Sequence, residues 1–241
     1  MPPVPSRLPV ATFSAREPAR LARFWADVLG RAVAGDATGV LVAGEKGQLD
    51  LRFVPGRAER AGPNRMHLHL TSDSLDHQRS TVATALDLGA RHLDVGQRPE
   101  EEHVVLADPE GNELCVIEAG NAFLAGCGFL GELACDGSRA VGAFWSAALE
   151  WPLVWDRDDE TAIQSPGGGT KLAWGGASDR PRETGTRLDL VAPGRDLAAE
   201  TERLVALGAT HLRDAEDGAV VLADPDGYEL HLTAPADPRL A

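Results

Sequence analysis

Four short runs carry the side chains with chemistry to offer. Met66-His-Leu-His-Leu-Thr71 alternates apolar and polar residues, so a strand here puts Met66, Leu68 and Leu70 on one face and His67, His69 and Thr71 on the other. Two imidazoles on one face suit metal ligation or proton transfer, and they equally suit the polar wall of a wet pocket. Arg187-Leu-Asp-Leu-Val191 alternates in the same way and sets Arg187 and Asp189 on one face, where they fit an ion pair or a polar pocket wall, since a buried charge needs a partner. In the runs 113–116 and 229–232, Leu114, Val116, Leu230 and Leu232 take one face. Glu113 and Cys115 are left opposite in the first run, Glu229 and His231 in the second. Cys115 and His231 are donors for a soft or borderline metal such as zinc, although a free cysteine also packs as a small hydrophobe.

The elements that hold these runs follow from an internal repeat. FWADVLG at 24–30 matches FWSAALE at 144–150, LGARHL at 88–93 matches LGATHL at 207–212, and VVLADPEGNEL at 104–114 matches VVLADPDGYEL at 220–230, in the same order. Two homologous halves are implied. The junction falls at 120–128, where NAFLAGCG breaks the strand pattern, giving expected domains of 1–122 and 123–241.

Within each half the hydrophobic period switches between 3.6 and 2. Leu21, Phe24, Trp25, Val28 and Leu29 form one helical stripe, opened by Pro18 and closed by Gly30, and Val141, Phe144, Trp145, Ala148 and Leu149 repeat it. Second helices are expected over about 75–88 and 197–207, closed by Gly89 and Gly208. Asp108-Pro-Glu-Gly111 and Asp224-Pro-Asp-Gly227 carry the residue preferences of a type I turn and join strands as hairpins. Each half reads strand, helix, three strands, and then the same again.

Bulk properties narrow the function. The chain has 241 residues, enough for two cores of ordinary size, with 43% hydrophobic and 25% charged residues. The 23 basic against 37 acidic residues give a net charge of −14, which repels phosphate backbones and anionic headgroups, so neither nucleic acid nor membrane is an expected partner. No run approaches the apolar length of a membrane span, MPPVPSRLPV lacks the layout of a secretory signal, and Cys115, Cys127 and Cys135 are too few for a disulfide framework. These features point to a cytoplasmic protein with reduced thiols.

The FW helix, the LGA closure and the final DP[ED]G[NY]EL hairpin, twice over and in fixed order, resemble the glyoxalase-like branch of the vicinal-oxygen-chelate (glyoxalase/bleomycin-resistance) superfamily over about residues 7–233. The resemblance implies an α+β fold in which paired βαβββ modules form two curled-sheet, half-barrel domains with helices outside and cavities within. His67 and His69, Arg187 and Asp189, Glu113 and Cys115, and Glu229 and His231 would then face cavities. Family enzymes resembling this chain take metal ligands from first and last module strands. His67 matches one such position, and the usual glutamate falls on Cys115 in one half and His231 in the other. The remaining first-strand position offers only Thr12 and Ser14, or Glu132 in the second half. Trp174, before Gly175-Gly176, suits either an aromatic cavity wall or the core.

The superfamily includes metal-dependent enzymes and metal-free binders, so fold alone does not choose. Incomplete ligand triads favour a small-molecule binding protein of the glyoxalase/bleomycin-resistance type. The alternative is a metal-dependent lyase, isomerase or dioxygenase, with a divalent metal as its cofactor. With two donors in the first half and a cysteine taken to be distant, no tightly bound metal is expected. Four modules in one chain mimic the dimer of single-domain relatives, which allows a monomer or a homodimer.

Overall fold

Amphipathic spacing sets the elements, and the computed structural model describes them over residues 10–36, 39–45, 47–56, 64–98, 100–176, 185–192 and 196–235. The first module is β1 (Val10–Ala15), α1 (Pro18–Leu29), β2 (Val33–Asp36), β3 (Gly39–Val42) and β4 (Asp50–Pro55). The second is β5 (Met66–Ser72), α2 (Leu75–Asp87), β6 (Arg91–His92), β7 (Val104–Ala107) and β8 (Glu113–Ala119). The third is β9 (Leu130–Asp136), α3 (Arg139–Leu149), β10 (Leu153–Arg157), β11 (Glu160–Ile163) and β12 (Lys171–Gly175). The fourth is β13 (Thr186–Val191), α4 (Leu197–Ala206), β14 (Thr210–Asp214), β15 (Val220–Ala223) and β16 (Glu229–Thr233). The α+β class and the βαβββ repeat are as expected. Among the described residues, no helix is long and apolar enough to cross a membrane.

The strands form two open eight-stranded sheets, ordered β14-β15-β16-β13-β1-β4-β3-β2 and β10-β11-β12-β9-β5-β8-β7-β6. Modules one and four thus share a terminal sheet, joined by antiparallel β1 and β13, and modules two and three share a central sheet, joined by antiparallel β5 and β9. This corrects the expectation that donors from each half of the sequence would gather in that half's own cavity. The first strand of every module needs a neighbour on one edge, and pairing within a half or across halves satisfies that need equally. Here the pairing crosses, so Glu132 comes to the same sheet as His67, His69 and Cys115.

The helix stripes bury as read except at Leu29, which is only partly buried. Leu21, Phe24, Trp25 and Val28 of α1 and Val141, Phe144, Trp145, Ala148 and Leu149 of α3 are buried, each large side chain contributing roughly 1.5–3 kcal/mol. One contiguous cluster takes in these stripes and the helix-side faces of both sheets, including Leu51, Phe53, Leu68, Leu70, Leu188 and Leu190. The two helices end differently. Gly30 closes α1 in the left-handed region at φ 65°, whereas α3 ends on Glu150 at φ 56°, where a side chain is strained.

The two Asp-Pro turns make the expected i to i+3 bonds, with Gly111 and Gly227 N–H donating to the Asp108 and Asp224 carbonyls at 2.8 Å. They also do something the turn preferences did not disclose, stapling one sheet to the FW helix that lies on the other. Trp25 Nε1 donates to Asp108 Oδ2 at 3.2 Å, and Trp145 donates to the Asp224 carboxylate. The third turn residue then caps the helix entry. Glu110 accepts from the Arg16 and Glu17 N–H groups at 2.8 and 2.7 Å, and Asp226 accepts from Ser138 N–H and Oγ at 2.7 and 2.8 Å. Both motif ends therefore meet in pairs related by the repeat, holding the N–H groups of the residues that lead into α1 and α3. Burial pushes the Asp108 carboxyl up, and it pushes Asp224 up to about 6 against the lowering effect of its hydrogen bonds.

Candidate functional site

On β5 the alternation runs buried, half-buried throughout, with Met66, Leu68 and Leu70 under the helices and His67 and His69 on the opposite face. A register shift of one residue would exchange the two sets. Neighbouring strands complete a row across this face: His69 pairs with Cys115 on parallel β8 and with Glu132 on antiparallel β9, and Glu132 pairs with Lys171 on β12. Pairing of modules two and three is what brings the row together.

His69 is the hub of the row. Its Nδ1–H donates to Glu132 Oε2 at 2.6 Å, with side-chain exposures of 17% and 7%, so little water competes for the bond. The imidazole also interacts with the Cys115 thiol. Burial by itself would push His69 down, but its hydrogen bonds to Cys115 and Glu132 outweigh it and raise the group to about 10. One donor atom from each of His67, His69 and Cys115 lies within 4.8 Å of the others. The premise that Cys115 is distant from the histidines is thereby corrected, since parallel β8 carries it to the His69 row.

Above the histidines lies a cavity of about 460 Å³. Phe123, Trp155 and Trp174 give its aromatic surface, and His67, His69, Glu132, Asp136, Glu160 and Thr161 give its polar surface. Phe123 and Trp155 meet edge to face at 5.6 Å, a favoured aromatic arrangement. Trp174 serves both expected roles: it is 2% exposed, stacks on Trp145 at 6.3 Å and still borders the cavity. Cys115 does not border the cavity; with Val105, Ile117, Leu124 and Cys127 it forms a small apolar cluster on this side of the sheet. All three cysteines are free thiols, and burial raises Cys135 well above the usual thiol range.

The remaining expected residues sit elsewhere. Arg187, Asp189, Glu229 and His231 belong to the terminal sheet. Asp189 accepts from Arg187 Nε at 2.7 Å and from Thr12 Oγ1 at 2.6 Å, the ion pair that their spacing suggested. Glu229 binds Arg213 at 3.1 Å, and burial followed by the Arg187 charge holds His231 below its usual range. Glu113 is not joined to the histidine row; it accepts from the Asn64 N–H at 3.1 Å, at the entry to β5. Phe123, Asp136, Glu160 and Lys171 were not singled out from sequence. Phe123 lay in the junction read only as a break, Asp136 and Lys171 needed the pairing of β9 with β12, and Glu160 needed that of β11 with β12.

With paired modules, a repeated staple and a histidine row on the face away from the helices, the architecture can be compared with known proteins. Residues 10–117 and 132–233 match the family described as glyoxalase-like domain. The chain belongs to that family. The sequence matches no curated protein. Glyoxalase I from Zea mays is similar in fold at a TM-score of 0.63 and 13% identity, covering 95% of this chain and 92% of that one. A putative dioxygenase from Bacillus subtilis subsp. subtilis str. 168 follows at 0.56 and 13%, covering 98% and 86%. At such identity the likeness concerns the vicinal-oxygen-chelate fold. It does not carry residue roles into this glyoxalase-like chain, whose row must be judged by its own chemistry.

Proposed function

We propose that this glyoxalase-like protein binds a small organic molecule on the central sheet, in the cavity beside His67 and His69. The observation that carries the reading is the cavity itself: about 460 Å³, within the range of ligand sites, with aromatic walls and a few convergent polar groups. Buried free thiols suit a reducing compartment, and the charge of −14 disfavours nucleic acid, so a cytoplasmic protein acting on a free small molecule is the setting proposed. Each sheet already joins two modules within the chain, so a monomer suffices to form the site. Tryptophan emission, with Trp155 and Trp174 at the cavity, is the direct probe: a chemically diverse small-molecule panel is expected to yield ligands that change emission saturably and raise Tm, with both effects weakened in Trp155→Ala. A panel without any such ligand would sink the reading.

A second reading, a metal-dependent lyase, isomerase or dioxygenase, is favoured by one observation, the convergence of His67, His69 and Cys115 within 4.8 Å. Two nitrogens and a sulfur fit zinc or another borderline ion better than magnesium or manganese, and a carboxylate on the far nitrogen of a ligating histidine, as Glu132 stands to His69 Nδ1, is a common support for such a ligand. A bound ion would supply Lewis-acid polarisation of a carbonyl. Glu132 would fix the ring of His69, and the aromatic walls would orient the substrate and exclude water. Elemental analysis after extensive dialysis separates the readings: near-stoichiometric metal lost in Cys115→Ser favours the enzyme, and metal-free protein that still binds small molecules favours the binder.

A further inference from the structure

The segment that joins the two halves, residues 121–128, lies between β8 and β9 and belongs to neither sheet. It nevertheless borders the central cavity, because Phe123 is one of the walls and its ring meets Trp155 edge to face. What fastens the segment is separate from the main core. Leu124 and Cys127 pack with Val105, Cys115 and Ile117 in a cluster of their own, whereas the large cluster spans the helices and both sheets. A small satellite beneath a loop is a packing unit to itself, and a unit with few buried apolar contacts opens at lower free energy than the body it rests on. Side chains supply the moorings: Gln48 Nε2 donates to the Cys127 carbonyl at 2.6 Å, Thr71 Oγ1 to the Gly128 carbonyl at 2.9 Å, and Lys171 Nζ to the Phe123 carbonyl. Lys171 Nζ also stands 4.3 Å from the centre of the Phe123 ring, so one residue holds both the backbone and the side chain of that wall.

There is room for the segment to move. A cavity of about 530 Å³ borders Asn121, Leu124 and Ala125, one of about 370 Å³ borders Gly126 and Cys127, and the central cavity borders Phe123. Gly120 and Gly128 bracket the segment in the left-handed region, at φ 83° and 79°, and glycine's wide conformational range suits a hinge. We propose that residues 121–128 form a gate on the central cavity, which swings as a unit about Gly120 and Gly128, is latched by Lys171 through Phe123, and leaves both sheets folded when open. The gate rests on the binding reading above and names what regulates access to that site: the entrance widens when Phe123 leaves Trp155 and narrows when Lys171 regains it.

The three native thiols report on the gate without a ligand. Cys127, 1% exposed, and Cys115 lie in the satellite cluster, and Cys135 lies in the main core. N-ethylmaleimide labelling of the full chain in buffer containing EDTA, followed thiol by thiol by mass spectrometry, is expected to modify Cys127 about a hundredfold faster than Cys135. Low urea is expected to leave the Cys127 rate nearly flat and to raise the Cys135 rate steeply, because opening the gate exposes little surface and global unfolding exposes much. Lys171→Met is expected to speed Cys127 about tenfold with Cys135 unchanged. Acrylamide reads the cavity itself: Trp25, Trp145, Trp151 and Trp174 are buried and Trp155 is half-buried, so quenching reports mainly on Trp155. With the maleimide adduct on Cys127 the segment cannot reseat in its close-packed cluster, and quenching is expected to rise about twofold. Equal rates at Cys127 and Cys135, a shared urea dependence, a Lys171→Met effect that is absent or common to both thiols, or quenching unmoved by the adduct would overturn the gate. None of these outcomes touches the binding reading, which falls only if the diverse panel yields no ligand.

Discussion

The faces of the two sheets that turn away from the helices are built to one plan and filled with different chemistry. In the central sheet, Glu132 on β9 reaches His69 on β5 at 2.6 Å; in the terminal sheet, the equivalent residues Thr12 on β1 and Asp189 on β13 meet at the same 2.6 Å. The repeat places His67 opposite Arg187 and Cys115 opposite His231. The fold thus supplies a bridging position between first strands, and each pair of modules chooses donor and acceptor for itself. On the terminal sheet Asp189 is shared by Arg187 and Thr12, and Glu229 by Arg213, so charges there answer one another. The central sheet makes one such bond at His69, beside a cavity lined by aromatic rings and carboxylates.

Removing the acceptor from each bridge tests how differently the two faces depend on it. Glu132→Ala leaves a raised, nearly buried imidazole without its carboxylate, and a loss of about 3 kcal/mol in urea unfolding is expected. Asp189→Ala acts where both partners are about one-fifth exposed, and a loss of about 1.5 kcal/mol is expected. Equal losses would show that the two bridges are equivalent and that the contrast drawn from burial is wrong.

The staples offer a comparison in pH. Asp224 is raised to about 6 in the folded chain, above the ordinary carboxylate value of 3.8. A raised pKa favours the neutral form, so its contribution to stability is complete below 3.8 and disappears as pH rises through 6. Between pH 4 and pH 7 the stability of the wild type is expected to fall by about 2 kcal/mol relative to Asp224→Asn, whose side chain does not titrate. A difference that stays flat over this window would remove Asp224 as the titrating group. The smallest effect concerns the helix ends. Glu150→Gly gives α3 the closing residue that α1 has in Gly30, and a gain of about 1 kcal/mol is expected in the same unfolding assay.

Much of this arrangement could be read in the residues, and what could not has a physical cause. The face of His67 and His69 was legible because period two is all or none once Met66, Leu68 and Leu70 must be buried. The helix stripes of Trp25 and Trp145 were legible for the same reason at period 3.6. The meeting of Glu132 with His69 was not, because four similar modules leave open which first strands pair, and only that choice decides which donors share a sheet. The indole-to-carboxylate staples were also hidden: Trp25 and Asp108 each satisfied a local pattern, and nothing local tells that they satisfy each other. The strained end of α3 was not read either: the repeat sets Glu150 where Gly30 stands, and nothing in the residue pattern tells that the glutamate keeps the left-handed backbone at φ 56°.

The crossed pairing of the modules has a consequence for the order in which a growing chain can become ordered. The bridge from His69 to Glu132 closes 63 residues of chain, and the bridge from Thr12 to Asp189 closes 177. The longer closure costs about 0.9 kcal/mol more in chain entropy before any contact repays it. During synthesis the central sheet has all its strands once β12 is complete. Strand β1 emerges first, finds β4 on one side, and has no native neighbour on the other until β13 has been made. The first module of this protein is therefore the earliest to be synthesised and among the last to be enclosed, with an open strand edge to protect in the interval.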